Sequence, residues 1–335
     1  MPDVRTEITE IVTGLAMLGY QDVQRALEVR PRHITHVDEP VFNRLEDAWV
    51  SGRYGSEFST AWDNGSAFAR SSLGLRGRPP WTLEWKGHHK PASKTIETIP
   101  ADLRIDGVYL ISCKYGSRIL HNAGPVALFD HHLAPSGSVS RADWFELVAP
   151  DAFRAVWQPV LAGVGLPPSS TPSTTSKEQR ALIKAALEVS PIVTTSPDYA
   201  TFVEAVSHQT AIRWRMRLNS AAARNELYWR VLRMQAAPYF VLGARHDGSA
   251  LRYRIDTPWD FQRRYTVRAF DVAPGSRGQP SVDWYVTVTE RDMGATVTVA
   301  GHVEVRWSHG KLNGAPEAKV YLDTDPLHVP GYDAL

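Results

Sequence analysis

The stretch IPADLRIDGVYLISCKY, residues 99–115, constrains the fold more than any other part of the chain. Two runs of alternating apolar residues flank Asp106-Gly107, a dipeptide suited to the positive φ angles of a tight hairpin turn. The pattern predicts two antiparallel strands. Ser112, Cys113 and Lys114 break the apolar run VYLI before Tyr115, as happens where a buried strand reaches a site. Side chains two residues apart share a strand face, so Ser112 and Lys114 point the same way. A strict two-residue turn at 106 and 107 would pair Asp102 with Ile111 and send Asp102 to the opposite face. Bringing all three together requires a bulge or a different loop, and bulges are frequent beside active sites.

The surroundings of the hairpin are also legible. TEITEIVTGLAML sets Ile8, Ile11, Val12, Leu15 and Leu18 at helical spacing, with Asp3 or Thr6 as N-cap. A second helix is expected from about Glu39, where Pro40 suits the first turn. EFSTAWDNGSAFARSSLGL reads as a helix ending near Gly74 and Gly77, and WTLEWKG as a short strand from Trp81 to Lys86. Asn122 is a candidate cap for a helix through AGPVALFDHHL. This gives a helix, a strand, a hairpin and a second helix.

With Asp102 near the end of one hairpin strand and Lys114 on the next, this order resembles the PD-(D/E)XK, or restriction-endonuclease-like, nuclease superfamily over roughly residues 57 to 133. Such nucleases carry an Asp on the second strand and a (D/E)-x-K tripeptide on the third. Here Pro100-Ala101 precedes Asp102, and Ser112-Cys113-Lys114 follows it, with serine in the acidic position. The resemblance implies DNA phosphodiester hydrolysis, endonucleolytic, with Mg²⁺ or Mn²⁺ as cofactor. Divalent cations activate water and neutralise charge on the reacting phosphate, and Mg²⁺ needs only one or two carboxylates beside waters and substrate. Asp102 is then the expected metal ligand and Lys114 the water-positioning group. Glu84, on the preceding strand, is the expected supplementary carboxylate and metal ligand, with Glu57 and Glu97 as further candidates. Ser112 could contribute a hydroxyl. A lost ligand is also what a catalytically inactive, DNA-binding or partner-binding descendant would show. Restriction, anti-phage defence and repair are the roles such nucleases serve.

The expected fold class is α/β (α+β). Residues 1–56 form a helical N-terminal extension and 57–164 the nuclease-like mixed-sheet core. GLPPSSTPSTTS, within 165–176, is a linker whose Pro, Ser and Thr leave nothing to bury. Residues 177–237 form an Arg-rich helical segment. Residues 238–335 carry six strand candidates joined by short turns, which predicts an antiparallel β-rich module.

Several further groups are candidate DNA contacts. Arg213, Arg215, Arg217, Arg224, Arg230 and Arg233 stand against a single acidic residue, Glu226, between Ala211 and Met234. Such a helix could track phosphates. Lys86, in the Glu84-x-Lys86 strand, could face the backbone. Arg306 and His309, near a turn in GHVEVRWSHGKLNG, could read a base. Glu304-x-Arg306 and Glu317-x-Lys319 imitate the nuclease tripeptide without the preceding helix. The paired histidines His88-His89 and His131-His132 lack the i+4 companion of a helical metal site.

Composition narrows the field. The net charge of +1 and the 22% charged residues are those of an ordinary globular chain. A single cysteine, Cys113, excludes an internal disulfide framework and a cysteine-based zinc site. The N-terminal segment MPDVRTEITEIV has neither a basic nor an apolar signal region, so a cytoplasmic location is expected. The expected partner is DNA, double-stranded rather than single-stranded. A helicase or ATPase partner, or a second copy of the chain, is a further candidate, and a membrane is not.

Overall fold

The computed structural model describes residues 3–85, 101–134, 143–172, 174–189, 196–308, 312 and 314–335. The strands are β1 (Ile34–Thr35), β2 (Leu83–Trp85), β3 (Leu103–Ile105), β4 (Tyr109–Tyr115), β5 (Ile119–Ala123), β6 (Tyr239–Ala244), β7 (Ala250–Ile255), β8 (Tyr265–Pro274), β9 (Ser281–Glu290), β10 (Thr296–Trp307), β11 (Pro316–Leu322) and β12 (Tyr332–Ala334). They divide between two compact units. The first comprises residues 1–118, 233–263 and 326–335; the second, 119–232 and 264–325. Among the described residues, no helix is long and apolar enough to cross a membrane.

The first unit holds a seven-stranded mixed sheet in the order β1-β2-β3-β4-β6-β7-β12. β2, β3 and β4 are antiparallel neighbours, whereas β4 and β6 run parallel from Leu110↔Tyr239 to Tyr115↔Ala244. Parallel neighbours need a long crossover, and residues 119–232 of the second unit lie between them in the chain. One face of the sheet buries Leu83, Trp85, Leu103, Ile105, Ile111, Phe240 and Leu242 against the helices.

Those helices form where the sequence predicts them. Asp3 caps the first, accepting from the Arg5 N–H at 3.3 Å, and Asp38 caps helix Glu39–Val50, accepting from Val41 N–H at 3.1 Å. The first helix runs from Val4–Glu7 into a π-helical turn, Ile8–Val12, before Thr13–Leu15. The widened turn buries Ile8, Thr9, Glu10, Ile11 and Val12 together. Helix Gly55–Arg70 crosses it so closely that a Cβ on Gly65 would lie 2.0 Å from the Thr13 carbonyl oxygen. On the same helix, buried Asn64 donates to the Tyr115 hydroxyl (3.2 Å) and the Gly243 carbonyl (3.1 Å), and accepts from Arg252 (2.7 Å). One amide thus ties the helix to β4, β6 and β7.

The second unit carries a five-stranded antiparallel sheet, β5-β11-β10-β9-β8. Helices Pro150–Gly163 and Pro197–Arg217 belong to it, and its core is aromatic. Phe145 packs on Phe202 (5.2 Å) and Trp307 (4.6 Å), and Trp214 packs on Phe129 (4.9 Å) and Phe270 (5.8 Å).

The divisions expected from sequence are redrawn by strand pairing. The N-terminal helices are part of the first unit's core, not an extension. The six C-terminal strands do not form one module: β6 and β7 join the first sheet, and β8 to β11 join β5 in the second. The Pro/Ser/Thr segment lies inside the second unit, where the Trp157 indole donates to the Ser170 carbonyl (2.8 Å) and Thr175 is buried. Asn122 lies in β5 and donates to Glu317 (3.1 Å), while Gly124 precedes the short helix Pro125–Phe129.

Gly65→Ala should lower stability by at least about 1–3 kcal/mol, the usual cost of overpacking a core. Chemical denaturation of the pure protein measures it, and an unchanged midpoint would refute the close crossing.

Candidate active site

The hairpin resolves the facing problem raised by its sequence. Asp106 and Gly107 both have positive φ (50° and 70°), and Val108 N–H donates to the Ile105 carbonyl at 3.0 Å. Val108 is then an extra residue, because Ile105 pairs with Tyr109 and not with Val108. The register moves by one, and Asp102 comes opposite Ser112. At this point β3 leaves the regular ladder. Asp102 N–H donates to the Ile111 carbonyl (2.8 Å), and the Asp102 carboxylate accepts from Cys113 N–H (2.6 Å) and Ser112 Oγ (3.2 Å), both on Oδ2. The side chain thus satisfies the Cys113 N–H.

The second carboxyl group comes from the first helix. Glu10, in the π-helical turn, accepts from the Trp85 indole N–H at 2.6 Å. Burial, and next the Asp102 charge, push its pKa up to about 8. π-helical turns are frequent at functional sites. Its neighbour Glu7 is also buried but is satisfied by a bidentate pair with Arg44 (2.7 and 3.1 Å). Lys114 completes the group. Burial, and next the charge of Arg233, lower its pKa, with Asp102 and Glu10 acting in the opposite sense. Cys113 points to the core side, and burial raises its thiol well above the usual range, so it is not a thiolate nucleophile at neutral pH.

The remaining sequence candidates fall elsewhere. Glu84 is a correction: it pairs with Arg104, directly opposite on β3, at 2.6 and 2.7 Å, and lies 3.8 Å from His36. Opposite charges in register on an antiparallel pair satisfy each other, so Glu84 is an ion-pair partner rather than the supplementary carboxylate. Glu57 pairs with Arg5 at 3.2 Å. Lys86, His88, His89, Glu97 and His309 lie outside the described residues.

In the second unit the arginines are tied internally. Arg213 makes a bidentate pair with Asp130 (2.8 Å twice), and Arg217 lies 3.6 Å from the same carboxylate. Arg215 donates to the Val272 carbonyl (2.7 Å), and Arg306 pairs with Glu317 (3.0 Å), its cross-strand partner. Glu304 accepts from the Tyr321 hydroxyl (3.0 Å). The two imitation tripeptides are therefore cross-strand pairs of a hairpin.

Glu10 was missed because an amphipathic reading treats a charged residue beside the apolar face as solvated. The available signal was the pair Glu7 and Glu10, two acids three residues apart among Ile8, Ile11 and Val12. No family model, curated protein or solved structure matches the chain.

The raised Glu10 pKa has a definite sign in stability. The unfolded carboxyl loses its proton near the ordinary value of 4.5 and the folded one near 8. Between these values the folded state binds more protons, so stability falls as pH rises, with a slope of at most about 1.4 kcal/mol per pH unit. Glu10→Gln keeps an oxygen for Trp85 and removes the titration. Melting curves of the metal-free protein should coincide with wild type near pH 4.5, and the variant should be the more stable at pH 8.5. Equal stabilities at pH 8.5 would show that Glu10 does not carry the shift.

Proposed function

We propose that the chain is a divalent-cation-dependent DNA nuclease of restriction-endonuclease-like fold, cleaving phosphodiester bonds around Asp102, Glu10 and Lys114. The observation that carries this reading is that Asp102, bonded to Ser112 and Cys113 of β4, lies close enough to buried Glu10 and Lys114 for the three charges to act on one another. A helix followed by three antiparallel strands, with the acid at the end of the second and the lysine on the third, is the order that the sequence resemblance implies.

The donor set fits a hard cation. Both hydrogen bonds to Asp102 end on Oδ2, and the Trp85 bond to Glu10 ends on Oε2, so each carboxyl group keeps one oxygen without a hydrogen bond among the described residues. Among those residues no group of three or more His, Cys, Asp or Glu side chains gathers as a metal site. The protein's share would then be two carboxylates, which is sufficient for Mg²⁺ or Mn²⁺ with waters and a substrate phosphate. A cation held there would supply charge neutralisation and an acidified water. Asp102 and Glu10 would hold it; burial first, and then the Asp102 charge, raise the pKa of Glu10, while the Trp85 bond and Lys114 act against the rise. Lys114 would orient the attacking water and offset negative charge on the phosphate. Its pKa, lowered by burial, brings it nearer to proton exchange at neutral pH.

Plasmid and linear DNA incubated with Mg²⁺, Mn²⁺ or chelator tests this directly. Cleavage should need the cation. Asp102→Ala, Lys114→Ala and Glu10→Gln should each slow it by at least ~10²-fold, the usual scale for such groups. Glu84→Gln should retain activity within a few-fold. Cleavage that survives both Asp102→Ala and Lys114→Ala would remove the assignment. Salt-sensitive DNA binding without cleavage would favour the inactive binding subunit that serine at position 112 allows.

A further inference from the structure

Trp81, just ahead of β2, is 83% exposed on a backbone that is held from both sides. In the hairpin turn, the Asp106 carboxylate accepts on Oδ1 from the Trp81 N–H (2.7 Å) and the Thr82 N–H (3.0 Å). Its Oδ2 pairs with Arg78 at 2.9 Å, and Asp106 N–H donates back to the Thr82 carbonyl at 2.9 Å. Pro79 and Pro80, immediately before the tryptophan, fix two further φ angles. A large aromatic side chain kept in water on such a support adds little to the core. It also has little backbone entropy to lose when a partner covers it.

The surroundings select the partner. Between Asp63 and Glu84 the chain has three arginines, Arg70, Arg76 and Arg78, and no acid. The loop after helix Gly55–Arg70 folds back on the helix end: Gly77 N–H donates to the Ala69 carbonyl (2.7 Å), and Arg76 N–H to the Ser71 carbonyl (3.1 Å). Arg76 also donates through Nε to the Ser72 carbonyl at 2.9 Å. Among the described residues, neither Arg70 nor Arg76 has a carboxylate partner. Uncompensated guanidinium groups suit phosphates, and an exposed indole suits the face of a base. Asp106 follows Asp102 by four residues, at most roughly 14 Å of extended chain. That is the rise of about four stacked nucleotides, so a strand held at the candidate site is long enough to reach Trp81.

We propose that Trp81 stacks on an unpaired base of the DNA strand bound at the candidate site, with Arg70 and Arg76 on its phosphates. The substrate class is then DNA that offers an unstacked base, as a single strand or a frayed end does. A base inside an intact duplex has to be unstacked first, at a cost. Asp106 holds the platform and does not touch the DNA. The inference rests on the nuclease reading and adds a substrate contact to it.

Binding of a labelled single strand to the whole protein in chelator, followed by fluorescence anisotropy, tests the stack without cleavage. The comparison strand is a sugar-phosphate chain of the same length without bases. Wild type should prefer the base-bearing strand by roughly 10-fold, the scale of one stacked base. Trp81→Ala should lose that preference and keep its affinity for the abasic strand, whereas Trp81→Phe should retain most of the preference. Arg76→Ala should weaken both strands alike and reduce the slope of log affinity against log salt by about 0.7.

Wild-type affinity of Trp81→Ala for the base-bearing strand, or equal losses on both strands, would overturn the stack. If that variant also cleaves DNA with Mg²⁺ as wild type does, the nuclease reading stands without it. A preference that depends on Trp81, in a protein that cleaves no DNA, would support the stack and remove the nuclease reading. A wild-type protein that binds neither strand would remove the stack. A dimer that Trp81→Ala dissolves, with DNA affinity unchanged, would assign the indole to a second copy of the chain instead.

Discussion

Residues 110–115 of β4 pair in parallel with residues 239–244 of β6, and the first unit depends on that seam. It joins segments more than a hundred residues apart in the chain, so its closing entropy must be offset by dense packing. The packing is visible on both sides. Ile111, Phe240 and Leu242 enter the shared core, and Asn64 bridges Tyr115 and the Gly243 carbonyl. Gly243 itself leaves no room for a side chain, since a Cβ there would lie 1.6 Å from the Lys114 carbonyl oxygen. The seam also brings Tyr239, with Arg233 on its hydroxyl, alongside the strand that carries Ser112 and Lys114. The pairing that completes the sheet is thus the pairing that assembles the polar side of the candidate site.

The electrostatics of the site follow chiefly from burial. Glu7 and Glu10 sit three residues apart on one helix and are both buried, yet they behave differently. Glu7 has Arg44, whereas the hydrogen-bonding neighbour of Glu10 is an indole and the charge that acts on it most is another carboxylate, Asp102. A buried acid beside an acid holds its proton to higher pH. Lys114 is the mirror case, a cation whose charge is opposed by desolvation and by Arg233.

The arginines of the second unit illustrate the contrary case. Their excess over acids along the sequence suggested a phosphate track, but Asp130, distant in sequence, accepts from Arg213 and lies near Arg217. The Val272 carbonyl takes Arg215. Arginine at these positions fastens helix Pro197–Arg217 to its surroundings within that unit. Charge counted along a helix says little until its partners from other elements are known.

The sequence by itself determined the local pieces. It set the helices that begin after Asp3 and near Glu39, and the Asp106-Gly107 turn. It also set the placing of Ser112 and Lys114 on one strand face. These depend on neighbours within a few residues, where propensity and periodicity act directly. Only the tertiary structure decided that Val108 is an extra residue, that Glu84 pairs with Arg104, and that Glu10 is buried against the Trp85 indole. It also decided that β6 and β7 leave the other C-terminal strands for the first sheet. Each of these is a choice among partners far apart in the chain. Such choices are settled by which pairing buries the most apolar surface and leaves the fewest polar groups unsatisfied.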